Sequence, residues 1–273
     1  MGQTSASRWK SFWEKGGWWR ALLLAAAYFA LYNLGSLLFG PLLSGIPDRD
    51  SAAYVFVGYA LPILLGGILL VLFGWSVGWL KELFARQPIN GKGWMWIALI
   101  AVLAFNVLRF ATIDYSTVGL DLVATWLLAG LFIGFAEEVL TRGFVVKLLR
   151  KAGRREMVVA VISGAVFAGL HAGNLLSGQS LFATLFQLLY TFAFGICMYL
   201  SMRLTSYLIV PILLHASTDP SIFLQSAHAV EGPLAGLAGL GNIVVIFVGL
   251  LSLFFIRGRV ESPAAHASLQ PQR

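Results

Sequence analysis

The sequence has little charge and almost no cysteine. Asp, Glu, Lys and Arg make up 11% of its 273 residues, whereas soluble globular domains carry about 25%. This low charge, 59% hydrophobic residues and a mean hydropathy of +0.82 exclude an ordinary soluble domain. Cys197 is the only cysteine, so an intramolecular disulfide and a cysteine-based metal cluster are both excluded.

Two further features are missing. No polar stretch is long enough to form a soluble domain of its own, and the HExxH motif of helical zinc proteases does not occur. The net charge of +7 does not indicate nucleic-acid binding. The basic residues cluster between apolar runs, which is the pattern that orients membrane proteins.

The apolar runs are long enough to cross a bilayer, for which about 20 residues are needed. They predict an all-α polytopic transmembrane helix bundle of about eight spans. The predicted spans are 21–43, 53–75, 94–113, 122–147, 157–176, 181–202, 207–227 and 235–256.

The loops between these spans predict the orientation. Lys and Arg concentrate before the first span, in every second loop and after the last span, while the alternate loops carry mainly Asp and Glu. By the positive-inside rule both termini are cytoplasmic, which an even number of spans satisfies. Arg109 is the exception, and we expect it to snorkel outward or to pair with Asp114. The composition favours a bacterial inner membrane.

Three regions follow from these patterns. Residues 1–20 are basic and aromatic, which is typical of an interfacial segment on an anionic leaflet. Residues 21–257 form the transmembrane domain, and residues 258–273 are predicted to be a disordered tail.

Two adjacent carboxylates interrupt the fourth span. An ionised carboxylate at mid-bilayer costs about 2.5–3.5 kcal/mol, so the chain must offset that cost. Glu138 and Arg142 are four residues apart with the acid first, which is the favourable order for a helical ion pair. Glu137 lies about 100° further round the helix and has no such partner. Glu138 is therefore predicted to be structural, and Glu137 to be available for chemistry.

Two histidines lie in later spans. His171 should lie at nearly the depth of Glu137, because the two residues are 17 and 16 residues from the predicted turn at Gly153–Arg154. The GxxxG pairs Gly130/Gly134 and Gly169/Gly173 suggest that these two spans pack closely. In the seventh span, His215 and Asp219 are four residues apart and share a helix face, and Pro220 follows them.

These residue types allow two schemes. A buried carboxylate and an imidazole can activate water, and a second imidazole with a polar partner can stabilise an oxyanion. Alternatively, Glu137, His171 and His215 could bind zinc and leave a position open for water. The sequence does not separate the two schemes.

The polar residues also form three motifs in order: Glu137-Glu138-Val-Leu-Thr-Arg142, Phe167-Ala-Gly-Leu-His171 and His215-Ala-Ser-Thr-Asp219. They resemble the EExxxR, FxxxH and HxxxN/D motifs of the CPBP family of intramembrane proteases. This family includes type II CAAX prenyl endopeptidases and bacteriocin-processing or self-immunity proteins. The resemblance covers roughly residues 120–225.

The resemblance implies an intramembrane endopeptidase that cleaves peptide bonds near the cytoplasmic membrane face without a cofactor. Glu137 would be the base and His171 would help to activate water. His215 and Asp219 would bind the oxyanion, with Glu138 and Arg142 in support. Asp219 stands where the eukaryotic enzymes have Asn, and a carboxyl group stabilises an oxyanion only when it is protonated.

Three alternatives remain open at this point. The same peptidase could depend on zinc, or the chain could be a non-catalytic scaffold or immunity protein that binds a partner in the same cavity. A proton-coupled carrier is disfavoured, because the polar groups form one cluster and not a path. The expected partners are a peptide or protein substrate and the lipid bilayer, with no nucleic acid.

Overall fold

The computed structural model describes residues 7–260. Within this range the fold consists of helices, and strand-type pairing is limited to two isolated bridges, Ile113 with Ala229 and Arg155 with Arg259. Most of the predicted tail, residues 261–273, and residues 1–6 of the predicted interfacial segment lie outside the described part.

The helices follow one another with short connections. The α-helices, named in chain order, are α1 (Arg8–Glu14), α2 (Trp18–Ser36), α3 (Gly40–Ser44), α4 (Ala52–Val55), α5 (Leu61–Val77), α6 (Leu80–Phe84), α7 (Trp96–Ala111), α8 (Leu120–Glu138), α9 (Val146–Lys151), α10 (Glu156–His171), α11 (Leu181–Thr205), α12 (Ile209–Ala227), α13 (Pro233–Gly239) and α14 (Gly241–Ser252). Two wider π-helical turns, Phe56–Ala60 and Val139–Val145, join α4 to α5 and α8 to α9.

Seven helical segments of the described chain are long and apolar enough to cross a membrane. They are Trp18–Ser44, Ala52–Val77, Gly93–Ala111, Leu120–Lys151, Glu156–Leu175, Leu181–Thr205 and Pro233–Phe255. The all-α polytopic class is thus confirmed, and the chain is an integral multi-pass membrane protein. The remaining predicted span, 207–227, is also a helix, α12, but it is more polar than the other seven.

The bundle has two distinct ends. At one end, backbone hydrogen bonds join the N-terminal and C-terminal segments to the loops between helices. Gly17 N donates to Leu148 O, Gln87 N to Ser206 O, and Glu156 N to Gly258 O. We call this the basic end, because the loops 85–92, 151–156 and 203–208 and both termini carry most of the Lys and Arg residues. The opposite, distal end holds the loops 45–51, 112–119, 176–180 and 228–232.

The N-terminal segment is packed against the bundle and is more than an interfacial anchor. In α1, Trp13 is 4% exposed and packs edge-on against Phe73 of α5. Glu14 accepts hydrogen bonds from Lys151 and from the indole of Trp79, which ties α1 to α9 and to the turn before α6. α1 therefore lies outside the membrane-spanning segments and covers the basic end of the bundle.

α12 packs along α8 and α7. Its backbone comes close to α8 because α8 carries glycine at the contact. A Cβ atom at Gly134 would lie 2.5 Å from Ile212 O, and one at Gly130 would lie 2.4 Å from both Ala216 O and Pro220 Cγ. The helix continues through Pro220, whose missing N–H leaves Ala216 O without its usual helical donor.

The predicted role of the glycine pairs is only partly correct. Gly130 and Gly134 do allow close helix packing, but with α12 and not with α10. A Cβ atom at Gly169 would meet no described atom within 4 Å, and one at Gly173 would meet Phe29 of α2. The GxxxG pattern indicates a close approach without naming the neighbouring helix.

Candidate active site

The two glutamates lie at the end of α8, where the helix widens into the π-helical turn Val139–Val145. Such turns occur often at functional sites. The predicted ion pair is confirmed: Arg142 Nη1 lies 3.1 Å from Glu138 Oε1, and both side chains are fully buried. Arg142 also lies over the Phe167 ring, at 4.7 Å from its centroid. A side chain at Gly195 would collide with Arg142 Nη2, so this glycine leaves room for the guanidinium.

Glu138 also holds His215, a contact that the sequence did not predict. His215 Nδ1 lies 2.8 Å from Glu138 Oε1, so the same carboxylate oxygen receives hydrogen bonds from α12 and from Arg142. With its proton on Nδ1, the imidazole donates to Glu138 and directs Nε2 towards Glu137 and Asp219. Glu138 therefore fixes the orientation of His215.

The Nε2 atom of His215 faces two carboxyl groups. It lies 3.6 Å from Glu137 Oε2 and 3.9 Å from Asp219 Oδ2. The Glu137 side chain is 18% exposed, and the Asp219 side chain is 27% exposed. Among residues 7–260, neither Glu137 Oε2 nor Glu138 Oε2 has a hydrogen-bond partner although both atoms are buried, but Glu138 is held through its Oε1 by Arg142 and His215. Glu137 is thus the less constrained of the two adjacent glutamates, as the sequence predicted.

His171 is held by its own helix. Its Nδ1 lies 3.0 Å from the carbonyl oxygen of Phe167, the residue one turn earlier, and donates to it when protonated there. Its Nε2 is then available to the cavity. The Phe167 ring packs edge-on against both histidines, at 4.9 Å from His171 and 5.6 Å from His215. This packing explains why an aromatic residue precedes His171 by four positions in the motif.

One cavity of about 520 Å³ contains all four predicted catalytic side chains, Glu137, His171, His215 and Asp219. Its wall is rich in aromatic side chains, including Tyr28, Tyr32, Tyr59, Phe186, Tyr190, Phe194 and Phe223. Four neutral amides also line the cavity: Asn174, Gln179, Gln187 and Asn242. A cavity with apolar walls and a few convergent polar groups is typical of a ligand site.

Several residues that support the site were not singled out as such from the sequence. Phe194 packs edge-on against His215 at 4.9 Å. Asn106 of α7 donates to the side chains of Ser217 and Thr218 and thereby holds α12 beside the cavity. The spacing of Phe194 carries no signal, because an aromatic residue in an apolar run is usual in any membrane helix.

Arg109 behaves differently from the prediction. It is 3% exposed and donates from Nη2 to Asn242 Oδ1 at 2.9 Å, so it neither snorkels outward nor pairs with Asp114. Because Asn242 lines the cavity, Arg109 supports the cavity wall from outside. Asp114 instead accepts hydrogen bonds from Ser116, which lower the pKa of its carboxyl group.

The residues do not fit a zinc site as they stand. Across the described range no group of three or more His, Cys, Asp or Glu side chains is arranged to hold a metal ion. The Nδ1 hydrogen bonds of the two histidines, to Glu138 and to the Phe167 carbonyl, leave Nε2 free in both rings, as in histidines that bind metals, so the misfit lies in the relative placement of the side chains.

Comparison with known proteins agrees with the motifs. Residues 118–220 match a protein-family model described as type II CAAX prenyl endopeptidase Rce1-like. A search of curated proteins found no match to the chain. The matched segment begins just before α8 and ends just after Asp219, so it contains all three motifs and the four cavity side chains. Residues 118–220 are therefore similar to the Rce1-like type II CAAX prenyl endopeptidases.

Proposed function

We propose that the chain is an intramembrane endopeptidase in which Glu137 and His171 activate water. One observation carries the proposal: Glu137 Oε2 lacks a hydrogen-bond partner in the described structure, yet it faces a cavity that it shares with two histidines. A buried acceptor without a partner is costly, so such an atom calls for an explanation. A water molecule held for reaction supplies one.

The proposed reaction begins with this water. Glu137 accepts its proton while His171 Nε2 orients it, and the oxygen attacks the carbonyl carbon of the scissile bond. A tetrahedral intermediate forms with negative charge on the former carbonyl oxygen. When the C–N bond breaks, Glu137 returns the proton to the departing amine. The products are a carboxylic acid and an amine, and the base is restored.

His215 and Asp219 are proposed to stabilise the oxyanion. His215 donates from Nδ1 to Glu138, and in its protonated form it also donates from Nε2 into the cavity. Asp219 contributes a donor only in its protonated form, as carboxylic acids do in other oxyanion sites. Removal of one such donor typically reduces kcat by about 10²–10³-fold.

The proposed reaction uses no cofactor and takes a peptide or protein as substrate. The bilayer is the second partner, and a bacterial inner membrane is the proposed location. The membrane face at which cleavage occurs does not follow from this chemistry. It depends on which end of the bundle the cavity opens to, and on how the bundle is oriented.

A peptide-cleavage screen tests the proposal. Detergent-purified wild type and Glu137→Gln would be incubated with a quenched fluorescent peptide library, with and without a zinc chelator. We expect cleavage by the wild type, loss of cleavage in Glu137→Gln, and no effect of the chelator. Loss on chelation would support the zinc-dependent version. No cleavage by folded wild-type protein would contradict the proposal and favour the scaffold or immunity reading.

A further inference from the structure

The cavity lies in the distal half of the bundle. α10 begins at the basic end, and only its last turn contributes to the wall, through Phe167, Leu170 and His171. α11 begins at the distal end, and its contribution is confined to the first half, between Ala183 and Phe194. Gln179, in the distal loop 176–180, also lines the cavity.

Two other residues extend the wall to the same end. Tyr59 lies shortly after the distal loop 45–51, and Asn242 is the second residue of α14, immediately after the distal helix α13. By contrast, no residue of the loops 85–92, 151–156 or 203–208 is among the residues that line the cavity. The mouth is therefore at the distal end.

The other side of the catalytic group is closed. All seven residues of Val139–Val145, which lead from Glu138 towards the basic end, are buried. On α11, the residues from Ile196 to Met202 are 0% exposed. Phe144, Leu148 and Trp79, which also lie towards the basic end, are equally buried. Side chains buried to this extent form a closed core on this side of the catalytic group.

The charge distribution identifies the two sides. Among the loops of the distal end, the basic residues are limited to Arg49, which stands between Asp48 and Asp50. The loops of the basic end carry Lys or Arg in every connection, including Lys151, Arg154 and Arg155 in the short turn before α10. By the positive-inside rule the basic end is cytoplasmic, and the distal end is not.

From these observations we infer that the catalytic cavity opens to the non-cytoplasmic side of the membrane and takes an uncharged, apolar segment of a polypeptide presented from that side. The inference rests on the proposed function for the cleavage itself. It differs from the cytoplasmic access that the family resemblance implied, because the mouth and the basic loops lie at opposite ends of the bundle.

The lining defines the class of segment. Aromatic walls bind apolar side chains, and the neutral amides Asn174, Gln179, Gln187 and Asn242 can exchange hydrogen bonds with an extended backbone. No Lys or Arg side chain is among the described residues that line the cavity, while Glu137 and Asp219 lie at its inner end. An acidic side chain would therefore lie near the carboxylate of Glu137 without a Lys or Arg side chain to pair with, so acidic segments are disfavoured.

Site-directed labelling tests the inference without requiring catalysis. Cys197 is fully buried, and Cys197→Ala provides a background without cysteine. Single cysteines are then placed by Ser177→Cys in the distal loop, by Ala183→Cys in the cavity, and by Arg154→Cys at the basic end. A membrane-impermeant maleimide is added to right-side-out and to inverted vesicles.

We expect Ser177→Cys and Ala183→Cys to react in right-side-out vesicles, and Arg154→Cys to react only in inverted ones. Reaction of Ala183→Cys only in inverted vesicles would overturn the inference, and so would failure of Ala183→Cys to react from either side. Wild-type Cys197 serves as the folding control, because it should stay unlabelled unless the bundle unfolds.

A second arm uses an impermeant fluorogenic peptide without acidic residues, added to vesicles of each orientation. Cleavage in right-side-out vesicles supports the inference, and cleavage only in inverted vesicles contradicts it. If the cysteines are labelled as expected but neither preparation cleaves the peptide, the result supports access from the non-cytoplasmic side and refutes the proposed peptidase activity. The two failures are therefore distinguishable.

Discussion

Glu137 and Glu138 are neighbours in the sequence but have different surroundings. Glu138 is fully buried and its Oε1 accepts from Arg142 and His215, while Glu137 faces the cavity with 18% of its side chain exposed. The contact with Arg142 could be predicted, because four-residue spacing brings the side chains together on any helix. The contact with His215 could not, because it joins residues 77 apart and depends on how α12 packs against α8.

The carboxyl group of Asp219 predicts a specific dependence of activity on pH. If Asp219 donates a hydrogen bond to the oxyanion, it does so only while protonated, so wild-type activity should fall as pH rises through its ionisation. Asp219→Asn carries an N–H donor at every pH and should keep activity while losing this alkaline decline. Asp219→Ala should reduce kcat by about 10²–10³-fold.

The measurement is the pH profile of kcat for wild type, Asp219→Asn and Asp219→Ala on one peptide substrate. An inactive Asp219→Asn that folds normally would contradict the donor role. It would mean that the carboxylate form of Asp219 is required.

At the scale of the helices, the approach of α8 to α12 forms the site. Glycines at 130 and 134 let the two backbones come close enough for His215 to reach Glu138. The sequence pattern predicted close packing, but it could not identify the partner helix. Sequence order favoured α10, the next span, whereas the structure uses α12.

Alanine substitutions test this packing. In Gly134→Ala the new methyl group would lie 2.5 Å from the backbone oxygen of Ile212, and a backbone atom cannot move aside as a flexible side chain can. Overpacking of this kind costs about 1–3 kcal/mol. We expect the unfolding temperature of Gly134→Ala in detergent to be several degrees below that of the wild type.

The matched control is Gly169→Ala, also a glycine of a GxxxG pair within a helix. Its added methyl group meets no described atom within 4 Å, so its unfolding temperature should equal or exceed that of the wild type. Equal destabilisation by the two substitutions would show that close α8–α12 packing is not the cause.

At the scale of the whole molecule, hydropathy predicted the fold class and most of the spans. It is least sensitive for α12, which is more polar than the seven apolar segments because it carries Ser217, Thr218 and Asp219. A membrane helix that contributes to a reaction site is often polar for this reason. The span with the weakest hydropathy signal is thus one that the proposed chemistry requires.

The direction in which the cavity opens is also a property of the whole molecule. The sequence predicted that Glu137 and His171 lie at a similar depth, and the two residues do share one cavity. The closed end of the bundle is formed by buried residues of α11, of the segment after α8 and of the turn at Trp79. These residues are distant in the sequence, so no local sequence pattern predicts which end is closed. The charge of the loops gives the orientation of the bundle, and the packing of the helices gives the end at which the cavity opens. Both are needed to infer the side of the membrane from which a substrate enters.

The account rests centrally on a division of labour between the two adjacent glutamates, and comparing two matched substitutions tests it most directly. The measurement is kcat together with the unfolding temperature for Glu137→Gln and Glu138→Gln. Glu137→Gln should reduce kcat by about 10²–10⁴-fold, because it removes the general base, and should leave the unfolding temperature unchanged. Glu138→Gln should lower the unfolding temperature, because it leaves buried Arg142 without its counter-charge, at a cost of about 3–5 kcal/mol. Wild-type kcat in Glu137→Gln would contradict the account.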